Sequence, residues 1–341
     1  MSVRPVGPAR APTMADVARL ASVSVPTVSR VLSGTAKVSS GKRERVLEAV
    51  RELNFRPSVA ARALASARAE AVSVVAGSTS QYGYAETLRG IEESCRRLGL
   101  SVIISVIESV EPSEVDRITA QVMSEPILGV VVLKFDPPGV AVLERLIGRL
   151  PVVAVSGLRD TRVSQAVLDE TRAAEELTRH LLDLGHPTVH HVRVPPSRRE
   201  DGRTTGWRRA LRHAGVEIPP VEDATWDPMS GREIGVRLAH RPEVTAVFCG
   251  NDEIAMGVIR GLNDEGRRVP EDVSVVGFDD HPLAALWSPS LTTVRQDFAG
   301  LGGRAVGLLR QDVEVPESAG RLSNERPLVI LRDSTAPPRR S

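Results

Sequence analysis

Residues 13–33, TMADVARLASVSVPTVSRVLS, constrain the fold more than any other stretch of the chain. They read as two short helices joined by a tight turn. Thr13 is a hydroxyl N-cap, and Asp16 follows three residues later as the shorter acid of a capping box. Val17, Leu20 and Ala21 fall on one helical face. Ser22-Val23-Ser24 breaks the pattern. Ser24 then caps a second helix with Pro26 in its first turn, where a missing N–H costs little. Val28, Val31 and Leu32 point inward and leave Val25, Pro26, Ser29 and Arg30 outside. This predicts a helix-turn-helix whose second helix would lie in a DNA major groove. Taken alone, a helical pair that binds no DNA is the competing reading.

A third helix is expected over 40–53, with Val46, Leu47, Val50 and Leu53 on one face. Charge agrees with a nucleic-acid-binding head. Residues 1–70 hold twelve Lys or Arg against five Asp or Glu, while the rest holds 32 against 38, so the overall +1 hides a basic head on an acidic body. The first dozen residues, rich in Pro and Ala, and those beyond 336 read as disordered tails.

From residue 71 onward, β-branched runs alternate with amphipathic helices. Strands are expected at 72–76, 101–107, 129–133, 152–155, 189–194, 245–249 and 273–276. Helices are expected near 86–98, 112–124, 140–149, 173–184, 202–214, 231–240, 252–265 and 298–310. Continuous apolar strands separated by helices mean parallel sheets covered on both faces, and the length fits two such units. Ligands of open sheets of this kind bind at the carboxyl ends of the strands.

Enzyme motifs are absent. No Gly-x-Gly-x-x-Gly follows a strand, and 34–42 has the wrong spacing for a phosphate-binding loop. His190 and His191 point to opposite faces of one strand, which argues against a metal. His186, just after Gly185, is expected as a helix-end imidazolium complementing the dipole. Asp279-Asp280 follows a strand with no nucleophile or His placed to complete a catalytic set, so ligand hydrogen bonding is the simpler reading. Cys95 and Cys249 are expected as buried thiols. No catalytic residue, metal or cofactor is expected. With no signal-peptide pattern and no apolar run of membrane-spanning length, the chain is expected to be cytoplasmic and free of membranes.

The ordered series Asp16-Val-Ala, Thr27-Val-Ser-Arg-Val-Leu32, Val38-Ser, Leu53-Asn-Phe-Arg-Pro57 and Ala63-Leu-Ala65 resembles the lactose-repressor (LacI/GalR) family of bacterial transcription regulators. So do Thr178–His186 (TRHLLDLGH), Gly250-Asn-Asp252, Val269–Asp280 (VPEDVSVVGFDD) and Pro289–Gln296 (PSLTTVRQ), so that the similarity spans about 13–335. Two departures stand out. Ser22 replaces a turn glycine, which costs more if that residue is left-handed, and Lys42 replaces a threonine.

The resemblance implies a helix-turn-helix domain at 13–57 and a hinge helix at 58–66. An effector-binding and dimerisation domain would follow at 71–335, made of two Rossmann-like subdomains of periplasmic-binding-protein type, and 336–341 would be a tail. Subdomain 1 would take about 71–165 and 297–325, and subdomain 2 about 166–296 and 326–335. Base reading falls to Val25, Pro26 and Arg30, the last able to reach guanine bidentately. Ser24, Thr27, Ser29 and Ser39 would contact phosphates, and Lys37 either phosphate or base. The hinge, too short to be a stable helix alone, would bring Ala61 and Leu64 to the DNA, with Leu64 as a minor-groove wedge. The partner would be a double-stranded pseudo-palindromic operator bound by a homodimer.

The resemblance also places Asp169, Arg203, Asn251, Asp279 and Gln296 in an effector cleft. Glu170 replaces a common Asn or Gln, which argues against an anionic effector. Trp226 reads either as a platform for a sugar face or as a loop anchor packed on the core, and Tyr82 and Tyr84 are expected to face the same cleft. The implied function is a repressor of sugar-utilisation genes controlled by a neutral sugar, on the motifs a galactoside. The alternatives are a purine- or nucleoside-responsive regulator of the same family and a non-regulatory sugar-binding protein.

Overall fold

The computed structural model describes residues 12–33, 38–53, 55, 71–157, 162–197, 201–315 and 320–339. The chain forms two compact units, 1–70 and 71–341. The expected N-terminal tail, Lys37 and the hinge at 58–66 with Ala61 and Leu64 lie outside the described residues.

In the first unit, α1 (Met14–Leu20), α2 (Val25–Ser33) and α3 (Ser40–Glu52) pack around Val17, Ala18, Ala21, Val28, Val31, Val46, Ala49 and Phe55. The capping box forms. The Asp16 N–H donates to Thr13 Oγ1, and the Thr13 N–H donates back to the Asp16 carboxylate at 2.9 Å. Ser22 is left-handed, at φ 52°, in the turn where its relatives are expected to carry glycine. Leu20 and Leu47, expected inside, are each 43% exposed. Three short helices bury only a narrow stripe, and small alanines at 18 and 49 fill it in their place.

The second unit is two parallel sheets with helices on both faces. Its strands, in chain order, are β1 (Ala71–Ala76), β2 (Ser101–Val106), β3 (Gly129–Leu133), β4 (Val152–Ser156), β5 (Ser164–Leu168), β6 (His190–Arg193), β7 (Glu222–Asp223), β8 (Ala246–Cys249), β9 (Ser274–Val276), β10 (Thr293–Arg295), β11 (Leu322–Glu325) and β12 (Leu328–Ile330). Its helices are α4 (Tyr82–Arg97), α5 (Pro112–Ser124), α6 (Pro137–Leu146), α7 (Glu170–Asp183), α8 (Gly202–Ala214), α9 (Pro228–Ala239), α10 (Asp252–Asp264) and α11 (Phe298–Glu314).

The first sheet runs β11-β5-β4-β3-β1-β2 and the second β7-β6-β8-β9. Every pair within them is parallel, as continuous apolar runs such as Val130–Leu133 require. The last helix, α11, returns to the first sheet and packs on α4. Gly90 permits this approach, because a Cβ there would collide with the Ala299 carbonyl.

Several elements differ from expectation. β5 is a strand that the periodicity did not pick out. The division expected at 165/166 falls inside it, because its pairing with β4 and β11 keeps residues up to Leu168 in the first sheet. A two-stranded antiparallel ladder, β10 with β12, carries the chain between the sheets. His186 is buried, with its ring against Thr245 Oγ1 at 3.0 Å, Ser274 Oγ at 3.1 Å and the Ala336 carbonyl at 3.0 Å. Desolvation lowers its pKa, so it is a neutral peg rather than a helix-end cation. The segment after 336, expected as a tail, is tied down as far as described. The Ala336 N–H donates to Ser274 Oγ at 3.0 Å, and Arg339 pairs with Asp272 at 2.8 Å. Cys95 and Cys249 are buried free thiols. Among the described residues, no helix is long and apolar enough to cross a membrane and no group of side chains could hold a metal ion.

Candidate functional site

Two sites are visible. The first is the outer face of α2. Val25 is 43% exposed, Pro26 and Arg30 are exposed, and Thr27 and Ser29 are half-buried. The Ser24 carbonyl accepts from the Thr27 and Val28 N–H groups, which starts the helix. Ser24 Oγ lies 2.8 Å from Thr27 Oγ1. Ser39, exposed, precedes α3 and makes no side-chain cap bond. An amphipathic helix with one face in a small core and an apolar, hydroxyl and guanidinium edge outward has the form of a groove-reading helix.

The second site is a cleft between the two sheets, at the carboxyl ends of their strands, with about 740 Å³ of empty space including its mouth. That lies within the range of small-molecule sites. Tyr82, Tyr84, Phe135, Trp226 and Phe298 supply its apolar surface. Its charged lining is Lys134, Glu170, Asp201, Arg203, Glu253 and Asp279.

Arg203 is the centre of this set. It sits in the first turn of α8, whose N-cap is Asp201. Its Nη2 lies 2.9 Å from Glu170 Oε1 and 3.2 Å from Asp279 Oδ1, while Nη1 donates to the Gly250 carbonyl. Its guanidinium carbon stands 4.6 Å above the Phe278 ring. Burial works against its charge, but Asp279 and Glu170 outweigh burial and hold the proton. Burial pushes the Asp279 carboxyl up to about 7, against the pull of Arg203 and of Gln296, whose Nε2 donates to Asp279 Oδ1 at 2.7 Å. Asp279 is itself left-handed, at φ 109°. Such strain at a buried carboxylate is typical of a functional position.

Arg203, Asn251, Asp279 and Trp226 come together at the cleft, as do Tyr82 and Tyr84. Asn251 also caps α10, accepting from the Ile254 N–H at 2.9 Å. Trp226 lines the cleft and also packs against the core of the second sheet. Gln296 is buried behind Asp279 and does not line the cleft. Asp169 is not in the cleft. It is the N-cap of α7, accepting from the Arg172 N–H, and the next residue, Glu170, faces the ligand space instead. Gly157 makes room for it, because a Cβ there would collide with the Glu170 carboxylate. Lys134, Phe135, Asp201, Glu253 and Phe298 were not anticipated. The available signal was positional: Lys134 and Phe135 directly follow the apolar run of β3, at the strand end where ligands bind.

Tyr82, in the cleft lining, has its ring 4.7 Å from that of His281 in an edge-to-face contact. Behind it, Asp252 accepts from Thr293 Oγ1 at 2.5 Å and from the His281 N–H at 2.6 Å. Burial raises its pKa well above the usual carboxylate value.

Comparison with known proteins agrees with this division. Residues 13–58 match the bacterial regulatory proteins of the lacI family, and residues 178–335 match the periplasmic binding protein-like domain. The chain is 33% identical to catabolite control protein A of Priestia megaterium over 87% of this chain and 91% of that protein. It is 31% identical to the ribose operon repressor of Escherichia coli K12 over 94% and 99%. It superposes on the crystal structure of the Lac repressor dimer bound to operator and the anti-inducer ONPF with a TM-score of 0.85, at 27% identity, covering 96% of this chain and all of that one. A reading helix in one unit, a ligand cleft between parallel sheets in the other, and similarity along both together place this chain in the lacI family of bacterial regulatory proteins, as a DNA-binding transcriptional regulator.

Proposed function

We propose that this protein is a homodimeric repressor whose hold on a pseudo-palindromic operator is set by a small, hydroxyl-rich effector, a sugar, bound between the two sheets. The observation that carries the reading is the Arg203–Glu170–Asp279 ion set beside aromatic walls. Fixed charges in bidentate-capable geometry orient hydroxyls, and Trp226 offers a flat apolar face for a pyranose ring. Galactosides are the first class to try. The ribose operon repressor and the operator-bound Lac repressor dimer, both similar along nearly the whole chain, support the regulatory and dimeric parts.

On the DNA side, Val25, Pro26 and Arg30 read base edges. Ser24, Thr27, Ser29 and Ser39 hold phosphates, with Lys37, Ala61 and Leu64 completing the contact. Two copies are needed because one reading helix covers too few base pairs for useful specificity. The effector switches the protein only if it favours one arrangement of the two sheets over the other.

The test is operator binding by the full chain, followed by fluorescence anisotropy on palindromes found upstream of its own gene and its neighbours. A sugar panel and a set of purines are added in turn. A change in operator affinity with a sugar supports the reading. A response to purines alone replaces the effector class, and a monomer on DNA in sedimentation removes the dimer.

A further inference from the structure

We infer that the cleft is built for an ammonium-bearing sugar, with Glu170 as the residue that selects the cation. This deepens the sugar reading above and rests on it. Three observations lead to it.

The first is charge. Among the described residues, four carboxylates line the cleft, those of Glu170, Asp201, Glu253 and Asp279, against two cations, Lys134 and Arg203. An anionic ligand would meet an excess of like charge in a space of low dielectric, where such repulsion is felt strongly.

The second is hydrogen-bonding capacity. The guanidinium of Arg203 and the amide of Asn251, which an anionic ligand would call on, are already engaged with the protein. Arg203 donates to Glu170, Asp279 and the Gly250 carbonyl. Asn251 Nδ2 donates to Glu253 at 3.3 Å, and Gln296 Nε2 donates to Asp279 at 2.7 Å. What is left over is acceptor. Asp201, in the cleft lining, leaves Oδ2 without a partner while Oδ1 accepts from the Thr204 N–H at 2.6 Å. A buried carboxylate oxygen with no donor is costly to leave unmatched, and an ammonium brings three donors and a charge.

The third is the wall. Tyr82, Tyr84, Phe135, Trp226 and Phe298 line the same space, and aromatic rings attract cations. Consistent with excess negative charge here, Glu170 and Glu253 both act to raise the Asp279 pKa. Glu170 is the selector because Arg203 and the space at Gly157 hold its carboxylate in the cleft lining.

The experiment is isothermal titration calorimetry on the full chain at neutral pH. Glucosamine, galactosamine and the open-chain amine glucamine are compared with glucose and galactose, with the N-acetylated amino sugars, with glucose 6-phosphate and with hypoxanthine. At least one amine is expected to bind about tenfold or more tighter than its neutral and N-acetylated counterparts, with the preference shrinking as salt is added. Glu170→Gln is expected to bring amine and neutral parent close to parity. Equal or tighter binding by the neutral sugars overturns the inference and leaves the sugar reading standing. Binding by hypoxanthine with no sugar of any charge overturns both. Failure of every amine to bind, or an amine preference that survives Glu170→Gln, also overturns the inference.

Discussion

Arg203 and Glu170 join the first turns of two neighbouring helices, α8 and α7, through a 2.9 Å ion pair whose side chains are 12% and 10% exposed. Asp279, arriving from the end of the second sheet, adds a second carboxylate to the same guanidinium at 3.2 Å. The cleft's central charge is therefore also a structural tie within the body.

Removing that cation alone should be expensive. Arg203→Ala leaves Glu170 and Asp279 facing each other in a poorly solvated site, and we expect a loss of about 3–5 kcal/mol. Replacing both partners, as Arg203→Met with Glu170→Met, should recover much of it, because no uncompensated buried charge remains at that pair. Urea unfolding followed by tryptophan fluorescence measures both. A double variant less stable than Arg203→Ala would show that the pair is net stabilising.

Asp279 should make stability depend on pH in a definite direction. Its folded pKa is raised to about 7 from an unfolded value of 3.8. The native state thus binds the proton more tightly, and the stability linked to it is complete below about pH 4. It is lost as pH rises through 7. Burial drives the shift, Arg203 and Gln296 oppose it, and Glu170 and Glu253 add to it. Buried His191, lowered to about 4 by desolvation, pulls the other way on acidification, so wild type alone is ambiguous. The difference in melting temperature between wild type and Asp279→Asn isolates the term. It should slope between pH 4 and 7 in favour of wild type at the acid end, then flatten. A difference independent of pH would mean Asp279 is ionised throughout.

Arg30 should carry sequence information and Ser24 should not. Arg30→Ala is expected to cost about 1–3 kcal/mol on the best operator and to relax preference at one base pair. Ser24→Ala should weaken all duplexes alike by a smaller amount. Binding to a set of single-base operator variants separates the two, and a uniform loss in Arg30→Ala would reassign it to phosphate contact.

The turn between α1 and α2 holds a strained residue. Ser22 at φ 52° carries a conformation that costs an L-residue roughly 1–2 kcal/mol, partly offset by its stiffer unfolded chain. Ser22→Gly should stabilise the head by up to about 1 kcal/mol, seen as slower hydrogen exchange of the α1–α3 amides in the full chain. Faster exchange in the variant would show that the serine makes a favourable contact outweighing the strain.

Local rules determined much of this protein from its sequence. The capping box at Thr13 and Asp16, the inward face of α2 and the alternation of apolar strands with helices all depend on neighbours within one or two turns. They survived translation into structure. The cleft residues Arg203, Asn251 and Asp279 were legible through resemblance to a known family, because their motifs sit at strand ends and helix starts, and Trp226 stood out as an aromatic in a loop of an aromatic-poor chain. Tertiary packing decided the rest. Leu20 and Leu47 are exposed because alanines fill a narrow core. β5 becomes a strand only through partners at 152–156 and 322–325, both distant in sequence. His186 loses its charge because Thr245, Ser274 and Ala336 converge on it from remote segments. At 169–170 a single position separates the two outcomes. Asp169 is consumed by the start of its own helix, and Glu170 reaches the ligand space because Gly157 and Arg203, from other elements, give it room and a partner. Sequence fixes which side chains are available to a helix or strand, whereas burial and charge at a site depend on which distant elements meet there.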